Sequence, residues 1–259
     1  MLIYMMRLNI KARLQYGRTF VYEALSHIFA FYLFEFLAVW ILLNKFSNVG
    51  GWSFFQILFL QALAYFIRAV AASIFWDPMI QMSNYVRDGR IDRFLVAPIN
   101  SFYYIVGTNF GVWTFSHIAV GIVGTVIAGA FLNIQWTFLG ITFLIIGVLA
   151  GMLIYSSLII LGGAMSFWTV RSQGFLWILL DSMPLINYPI TIYPKALQSI
   201  LTFVVPIALI NYFPTSYILG KGDVNLLMMT VILAASIALM WLAYRFWWFG
   251  AKKYSGTGS

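Results

Sequence analysis

Long apolar runs separated by short polar connections dominate the chain from residue 24 onward. A helix needs about 20 mostly apolar residues to cross a hydrocarbon core roughly 30 Å thick, and this pattern offers several such runs. The runs that predict spans cover residues 24–43, 53–76, 102–131, 136–165, a proline-rich stretch beginning near residue 172, and residues 224–249. The pattern therefore predicts an all-α polytopic membrane protein with six transmembrane helices in one domain, residues 1–259.

The N-terminal residues 1–20 carry an apolar stripe at helical spacing with basic residues beside it. Ile3, Met6, Ile10 and Leu14 share the stripe, and Arg7, Lys11 and Arg18 cluster next to it. This arrangement predicts an amphipathic helix lying in the membrane interface. A basic flank that only anchors the first span is the alternative.

Composition and charge fit a protein embedded in lipid. The chain is 63% hydrophobic and 8% charged, with a formal net charge of +8. Its basic residues flank the apolar runs, where they set topology and contact anionic headgroups, so nucleic-acid binding is not expected. Because the more basic connections alternate along the chain, the positive-inside rule predicts that both termini and the loop of residues 77–100 are cytoplasmic.

Five of the seven prolines lie between residues 184 and 214. They are Pro184, Pro189, Pro194, Pro206 and Pro214. Proline breaks helices, and broken helix at membrane depth must be buried in protein or face water. The region holds two apolar runs but must cross the membrane an odd number of times. We therefore expect one true span followed by a short re-entrant helical hairpin on the outer side, over residues 189–218.

Residues 77–100 form the longest hydrophilic stretch between the spans; we call them the charged loop. Met79, Met82, Val86 and Ile91 form an apolar stripe among charges of both signs. A docking helix uses such a stripe to fill a partner's groove and charges to fix its orientation, which predicts a protein contact. A solvated turn is the alternative.

Charged residues within spans are costly and are functional candidates by default. They are Glu35, Arg68 and Asp181. Glu35 and Arg68 share a predicted depth, so they form either an ion pair between helices or part of a substrate path. Glycine pairs at Gly107/Gly111 and Gly147/Gly151 allow close helix packing, within one subunit or across a dimer.

Motifs for chemistry are sparse. Gly220-Lys221-Gly222 lacks the rest of a phosphate-binding loop, and the chain has no cysteine and two histidines. We therefore expect no cofactor and no metal in this chain. Two rivals to a membrane protein driven by a docked partner stay open: an ion- or proton-coupled transporter with Glu35, Arg68 and Asp181 as relay, and a membrane enzyme acting on lipid-linked substrates.

Two segments resemble a known family. RDGRIDRFLVAPIN (residues 87–100) and YPITIYPKALQSILTFVVPIALINYFP (residues 188–214) are similar to segments of the membrane subunits of ATP-binding cassette exporters of the second type, especially daunorubicin-resistance-like permeases. The resemblance implies a multi-pass permease in a prokaryotic inner membrane, paired with a second permease subunit as a homodimer or heterodimer. It implies separate cytoplasmic ATPases that bind ATP and Mg, and a re-entrant region over Pro189, Pro194, Pro206 and Pro214. It also implies that the ATPase contacts Tyr85, Arg87, Asp88, Gly89, Arg90, Ile91, Asp92, Arg93 and Leu95.

Overall fold

The computed structural model describes residues 2–14, 48–169, 173–222 and 224–254, together with positions 22, 25, 26, 37, 40 and 41. The α-helices in chain order are α1 (Leu2–Leu14), α2 (Phe54–Ile80), α3 (Met82–Arg87), α4 (Asp92–Leu95), α5 (Ser101–Thr108), α6 (Phe115–Phe131), α7 (Phe138–Ala164), α8 (Gln173–Asp181), α9 (Lys195–Ser199), α10 (Tyr212–Ile218) and α11 (Leu226–Lys253). Short 3₁₀ segments lie at Val112–Thr114, Met165–Phe167, Met183–Asn187, Ile190–Ile192 and Ile207–Leu209, and a π-helical turn at Ile200–Val204.

Within the described ranges, four helical stretches are long and apolar enough to cross a membrane. They are Phe54–Arg87, Val112–Phe131, Phe138–Phe167 and Leu226–Lys253. A fifth candidate is the helix pair Lys195–Val204 and Ile207–Ile218, which is bent by 80° at the break between its arms. The all-α polytopic prediction is confirmed at this level. The predicted first span, residues 24–43, falls outside the continuously described ranges, so the count of six spans stays a prediction.

The prediction of one unbroken third span over residues 102–131 was wrong. Helix α5 ends at Thr108, and the helical path resumes at Val112. The break is stabilised by α2, because Gly111 N donates to Ser73 O at 2.8 Å. A Cβ on Gly111 would lie only 3.0 Å from Asp77 Oδ2, so the absence of a side chain permits this contact. The candidate span therefore begins at Val112.

Helix α2 does not end at Pro78, although proline usually ends a helix. Pro78 lies inside α2, which continues to Ile80, and α3 prolongs the same path to Arg87. The stretch Phe54–Arg87 has 34 residues. At 1.5 Å per residue it measures about 51 Å, roughly 20 Å more than the hydrocarbon core. Its last turns, which begin the charged loop, therefore extend beyond the membrane core.

The main core lies between α2, α7 and α11, with α6 packed along α2. A Cβ on Gly121 of α6 would lie 2.6 Å from the backbone nitrogen of Phe66, so the two backbones almost touch. Phe59 and Ile67 of α2 and Trp247 of α11 are fully buried. Helix α1 packs against α5. Its half-buried Met6 packs against the core, while Arg7 and Lys11 are exposed.

The Gly147/Gly151 pair packs within the chain. Cβ atoms placed there would lie 2.4 Å from Pro214 Cβ and 2.4 Å from Ile210 O, respectively. Of the two alternatives for this pair, packing within one subunit is therefore the one observed. The pair forms the seat on α7 for the proline-rich region.

Candidate functional site

Five of the six charged residues of the charged loop gather on one tight turn between α3 and α4. We call this segment, Arg87–Arg93, the charged turn. Gly89 has a φ of +68°, a left-handed conformation that glycine adopts without strain. Ile91 N donates to Tyr85 O at 3.0 Å and Asp92 N to Gly89 O at 3.2 Å, which closes the turn. Arg87, Asp88, Arg90, Asp92 and Arg93 are all exposed.

Two arginines converge on Asp88. Arg87 Nε lies 3.2 Å from Asp88 Oδ1, and Arg90 Nη2 lies 2.9 Å from Asp88 Oδ2. Hydrogen bonds from these guanidinium groups lower the pKa of Asp88 below its ordinary value, and Arg87 contributes the largest effect. The side chains of Arg87 and Arg90 remain 59% and 50% exposed, so much of each is free for a partner.

The underside of the turn is anchored in the core. Ile91 and Phe94 are fully buried, and Tyr85 is 3% exposed. The Phe94 ring lies 5.5 Å from the Tyr85 ring and 5.1 Å from the Tyr104 ring of α5. The Tyr85 hydroxyl lies 2.8 Å from Asn109 Oδ1 and 2.9 Å from Gln81 Oε1. The turn is thereby fixed to both α2 and α5.

The predicted docking stripe of Met79, Met82, Val86 and Ile91 does not face a partner. All four side chains are buried, each 8% exposed or less, in the chain's own core. The periodicity correctly predicted that this face is buried. The face is buried by this chain's own core and not by a partner protein. The surface available to a partner is the charged turn. Of the residues predicted to contact the ATPase, Tyr85 and Ile91 are buried beneath this turn and Leu95 is half-buried.

Two arginines lie across the aromatic anchors. Arg90 Cζ is 5.1 Å from the Tyr85 ring centroid, and Arg93 Cζ is 4.6 Å from the Phe94 ring centroid. Cation–π contacts of this kind restrict the side chains and reduce the entropy lost when they bind a partner. Phe94 and Asn109 were not among the predicted site residues. An aromatic residue directly after an arginine, in RFL, was the available signal for Phe94.

Two of the three charged residues predicted to lie within spans, Arg68 and Asp181, are among the described residues. Arg68 Nη2 donates to Asn187 Oδ1 at 3.3 Å, Arg68 Nε donates to Ala64 O at 3.4 Å, and Arg68 Cζ lies 4.7 Å from the Tyr65 ring. Asp181 is exposed at the end of α8, and within the described ranges it forms no ion pair with Arg68. Glu35 lies outside the described residues, so its pairing with Arg68 stays a prediction.

The proline-rich region begins and ends beside one turn. A Cβ on Gly50 would lie 2.7 Å from Ile192 Cγ2, and Lys221 Nζ donates to Gly51 O. The prolines mark its segments: Pro189 and Pro194 precede the 3₁₀ turn and α9, Pro206 lies at the bend, and Pro214 lies in α10. The Gly50–Gly51 turn precedes α2, at the opposite end of that helix from the charged turn.

Basic residues are concentrated near the charged turn. Asn100 Nδ2 donates to Tyr244 Oη at 3.2 Å and the Phe102 ring lies 5.3 Å from the Trp247 ring, which places the end of α11 beside the charged loop. Arg245, Lys252 and Lys253 occupy that end of α11. Among the described residues, no group of three or more His, Asp or Glu side chains is arranged to hold a metal ion.

Comparison with known proteins identifies the family. Residues 29–258 match the model of the ABC-2 family transporter proteins, which is most of the 259 residues. No curated protein matches the chain. The chain therefore belongs to the ABC-2 transporter family and is a membrane component of an ATP-binding cassette transporter.

Proposed function

We propose that this member of the ABC-2 family is the permease subunit of an ATP-driven exporter, and that the charged turn is the surface on which a separate cytoplasmic ATPase docks. The observation that carries the proposal is the two-sided construction of the turn. Its charged face is open, while Tyr85, Ile91 and Phe94 fix its underside in the core. A solvated connection has no need of such anchors. A surface that receives force does, because packed cores transmit displacement rather than absorb it.

The turn is connected to the helices that a transport cycle must move. It continues α2 directly, and Tyr85 links it to Asn109 at the break before the candidate span that begins at Val112. Met79 packs against α7, since a Cβ on Gly163 would lie 2.7 Å from Met79 Cβ. Closure of two ATPases on ATP and Mg would displace the turn and shift α2 and α7 together as a rigid body.

The distribution of cations supports a cytoplasmic position for the charged turn and both termini. Arg87, Arg90 and Arg93, together with Arg245, Lys252 and Lys253, lie at the charged-turn end of the molecule. Among the described residues, Lys195 and Lys221 are the cations near the Gly50–Gly51 end. The positive-inside rule then favours the plasma (inner) membrane of a prokaryote with the charged turn facing the ATPases.

A re-entrant hairpin accounts for the bent pair better than a crossing does. Its arms of 10 and 12 residues, Lys195–Val204 and Ile207–Ile218, measure about 15 Å and 18 Å, roughly half the hydrocarbon core each. Ile192 and Lys221, just before and just after the pair, both contact the Gly50–Gly51 turn. We therefore place residues 189–218 as an outer hairpin, and six spans in the complete fold.

Two such permeases, identical or related as in the daunorubicin-resistance-like branch, would enclose the substrate path between them. Family membership favours ATP over an ion gradient as the energy source. The observed neighbours of Arg68 are neutral, which also gives a proton relay through Arg68 and Asp181 little support.

Charge reversal on the turn tests the proposal. We expect Arg90→Glu combined with Arg93→Glu to lower the amount of ATPase that copurifies by at least about tenfold, since losing a close interfacial charge pair costs about 2–5 kcal/mol. Membrane insertion and the yield of the permease should not change. Lys195→Glu, the same reversal at the proposed outer end, is the matched control and should leave copurification intact. Normal copurification in the double variant would contradict the docking surface.

A further inference from the structure

A lateral groove beside the charged loop has the features of a lipid site. It has a volume of about 340 Å³ and lies between α2, α5, α7 and α11. That volume falls within the range of about 300–1,000 Å³ typical of small-molecule sites. Phe75, Phe102, Tyr103, Ile237, Trp241 and Tyr244 form much of its wall. We call it the α5–α11 groove.

Aromatic side chains form the part of the groove next to the charged loop. The Tyr244 ring lies 5.2 Å from the Phe102 ring and 6.3 Å from the Tyr103 ring. Tyr103 is 51% exposed, Trp241 58% and Ile237 55%, so the groove opens to its surroundings. In a membrane protein those surroundings are lipid chains. The apolar floor therefore fits an acyl chain.

The rim near the charged loop is polar and positive. Arg245 Cζ lies 5.5 Å from the ring of Trp241, a residue of the groove wall, so the guanidinium group lies next to the groove. Asn100 donates to Tyr244 Oη and also caps α5, since its Oδ1 accepts from Tyr103 N at 3.3 Å. The first turn of α5 adds the positive end of its helix dipole to this rim. An apolar floor beneath a cationic rim matches a single molecule with an acyl chain and an anionic headgroup.

We propose that the α5–α11 groove binds one anionic phospholipid, with an acyl chain between Tyr103 and Trp241 and its phosphate at Arg245. The lipid would fill the space between α5 and α11 beside the charged loop. This phospholipid would enter the groove from the membrane leaflet on the side of the charged turn. Binding requires no ATPase, so its outcome is independent of the docking proposal.

The test is native mass spectrometry of the purified full chain in detergent, titrated with phosphatidylglycerol or with phosphatidylcholine of the same acyl composition. We expect the first phosphatidylglycerol to bind about fivefold more tightly, the factor expected for one basic residue near an anionic surface. Arg245→Gln should abolish this preference. Lys253→Gln removes a cation from the same helix and should leave the preference intact. The Nζ of Lys253 lies over the Phe249 ring, outside the groove.

A second pair of variants tests the apolar floor. Ile237→Trp should fill the groove and weaken retention of both lipids at least threefold. Leu242→Trp, on the same helix and 52% exposed but away from the groove wall, should leave both unchanged. Equal binding of the two lipids to the unmodified chain would overturn the proposal. An equal loss of the phosphatidylglycerol preference in Lys253→Gln would also overturn it. So would dissociation of a dimer in Ile237→Trp, because the groove would then be occupied by a second copy of the chain.

Discussion

Replacing Gly151 by alanine probes the contact between α7 and the proline-rich region. The new Cβ would lie 2.4 Å from the backbone oxygen of Ile210 and 3.0 Å from Ile67 Cγ2. An ordinary carbon–oxygen contact is about 3.3–3.6 Å, so the backbone at Ile210 must move by about 1 Å. Overpacking of this kind costs about 1–3 kcal/mol.

Gly174→Ala is the matched control. Gly174 lies in α8, and a Cβ there would meet no atom within 4 Å. Both substitutions gain up to about 1 kcal/mol of helix propensity, so the difference between them isolates the clash. At about 2–4 °C per kcal/mol, we expect Gly151→Ala to melt about 2–12 °C below Gly174→Ala.

The assay is thermal unfolding in detergent, followed by the amount of protein that remains monodisperse. Mass measurements on both variants should match those of the unmodified chain, because the glycine faces its own chain and not a second copy. If the two variants melt within 1 °C of each other, the seat of the proline-rich region on α7 is not as described. If Gly151→Ala changes the oligomeric mass instead, the glycine belongs to a subunit interface.

Three further predictions concern the charged turn and the intramembrane arginine. Phe94→Ala should lower the free energy of unfolding by about 3–5 kcal/mol and reduce ATPase copurification, although every exposed charge remains. Val96→Ala, at a position 81% exposed, should change neither stability nor copurification. Equal behaviour of the two variants would contradict the anchoring role of Phe94. Because the pKa of Asp88 is lowered by its arginine partners, its contribution to the turn is complete above its ordinary pKa of 3.8 and is lost as the pH falls through the lowered value. Hydrogen-exchange protection factors of residues 85–95 should follow that profile, and Asp88→Asn should be poorly protected even at pH 6; unchanged protection in that variant would refute it. Arg68→Met should change the free energy of unfolding by no more than about 2 kcal/mol. It removes a charge whose insertion into the membrane costs about 2.5–3.5 kcal/mol, and this offsets the cost of about 1–3 kcal/mol for leaving the Asn187 oxygen without its hydrogen bond. A larger loss in thermal unfolding would show that Arg68 makes an indispensable structural contact.

The long spans could be predicted because apolar length alone determines them. Residues 136–165 and 224–249 correspond to Phe138–Ala164 and Leu226–Lys253, within a few residues at most ends. The break at residues 109–111 was missed because the run from residue 102 to 131 is mostly apolar, so that Thr108 and Asn109 did not interrupt the predicted helix. What decides the break is a contact from Gly111 to Ser73 in another helix, which no local pattern contains.

The charged turn was located from its composition, but its inner face was not. Spacing of Met82, Val86 and Ile91 predicts a buried side without specifying which protein buries it. Tertiary packing decides this, through rings such as Phe94 against Tyr104 that are ten residues apart in sequence and in different helices. Pro78 shows a similar limit, since its helix continues two residues past it.

The most direct test of the account is contact mapping from the charged turn. The chain contains no cysteine, so a single cysteine can carry a photocrosslinker at one defined position. In membranes that contain the whole transporter, Arg93→Cys should crosslink to a nucleotide-binding subunit, and Lys195→Cys, at the opposite end, should not. Crosslinking of an ATPase from residue 195, or its absence at residue 93 in an active complex, would contradict the account.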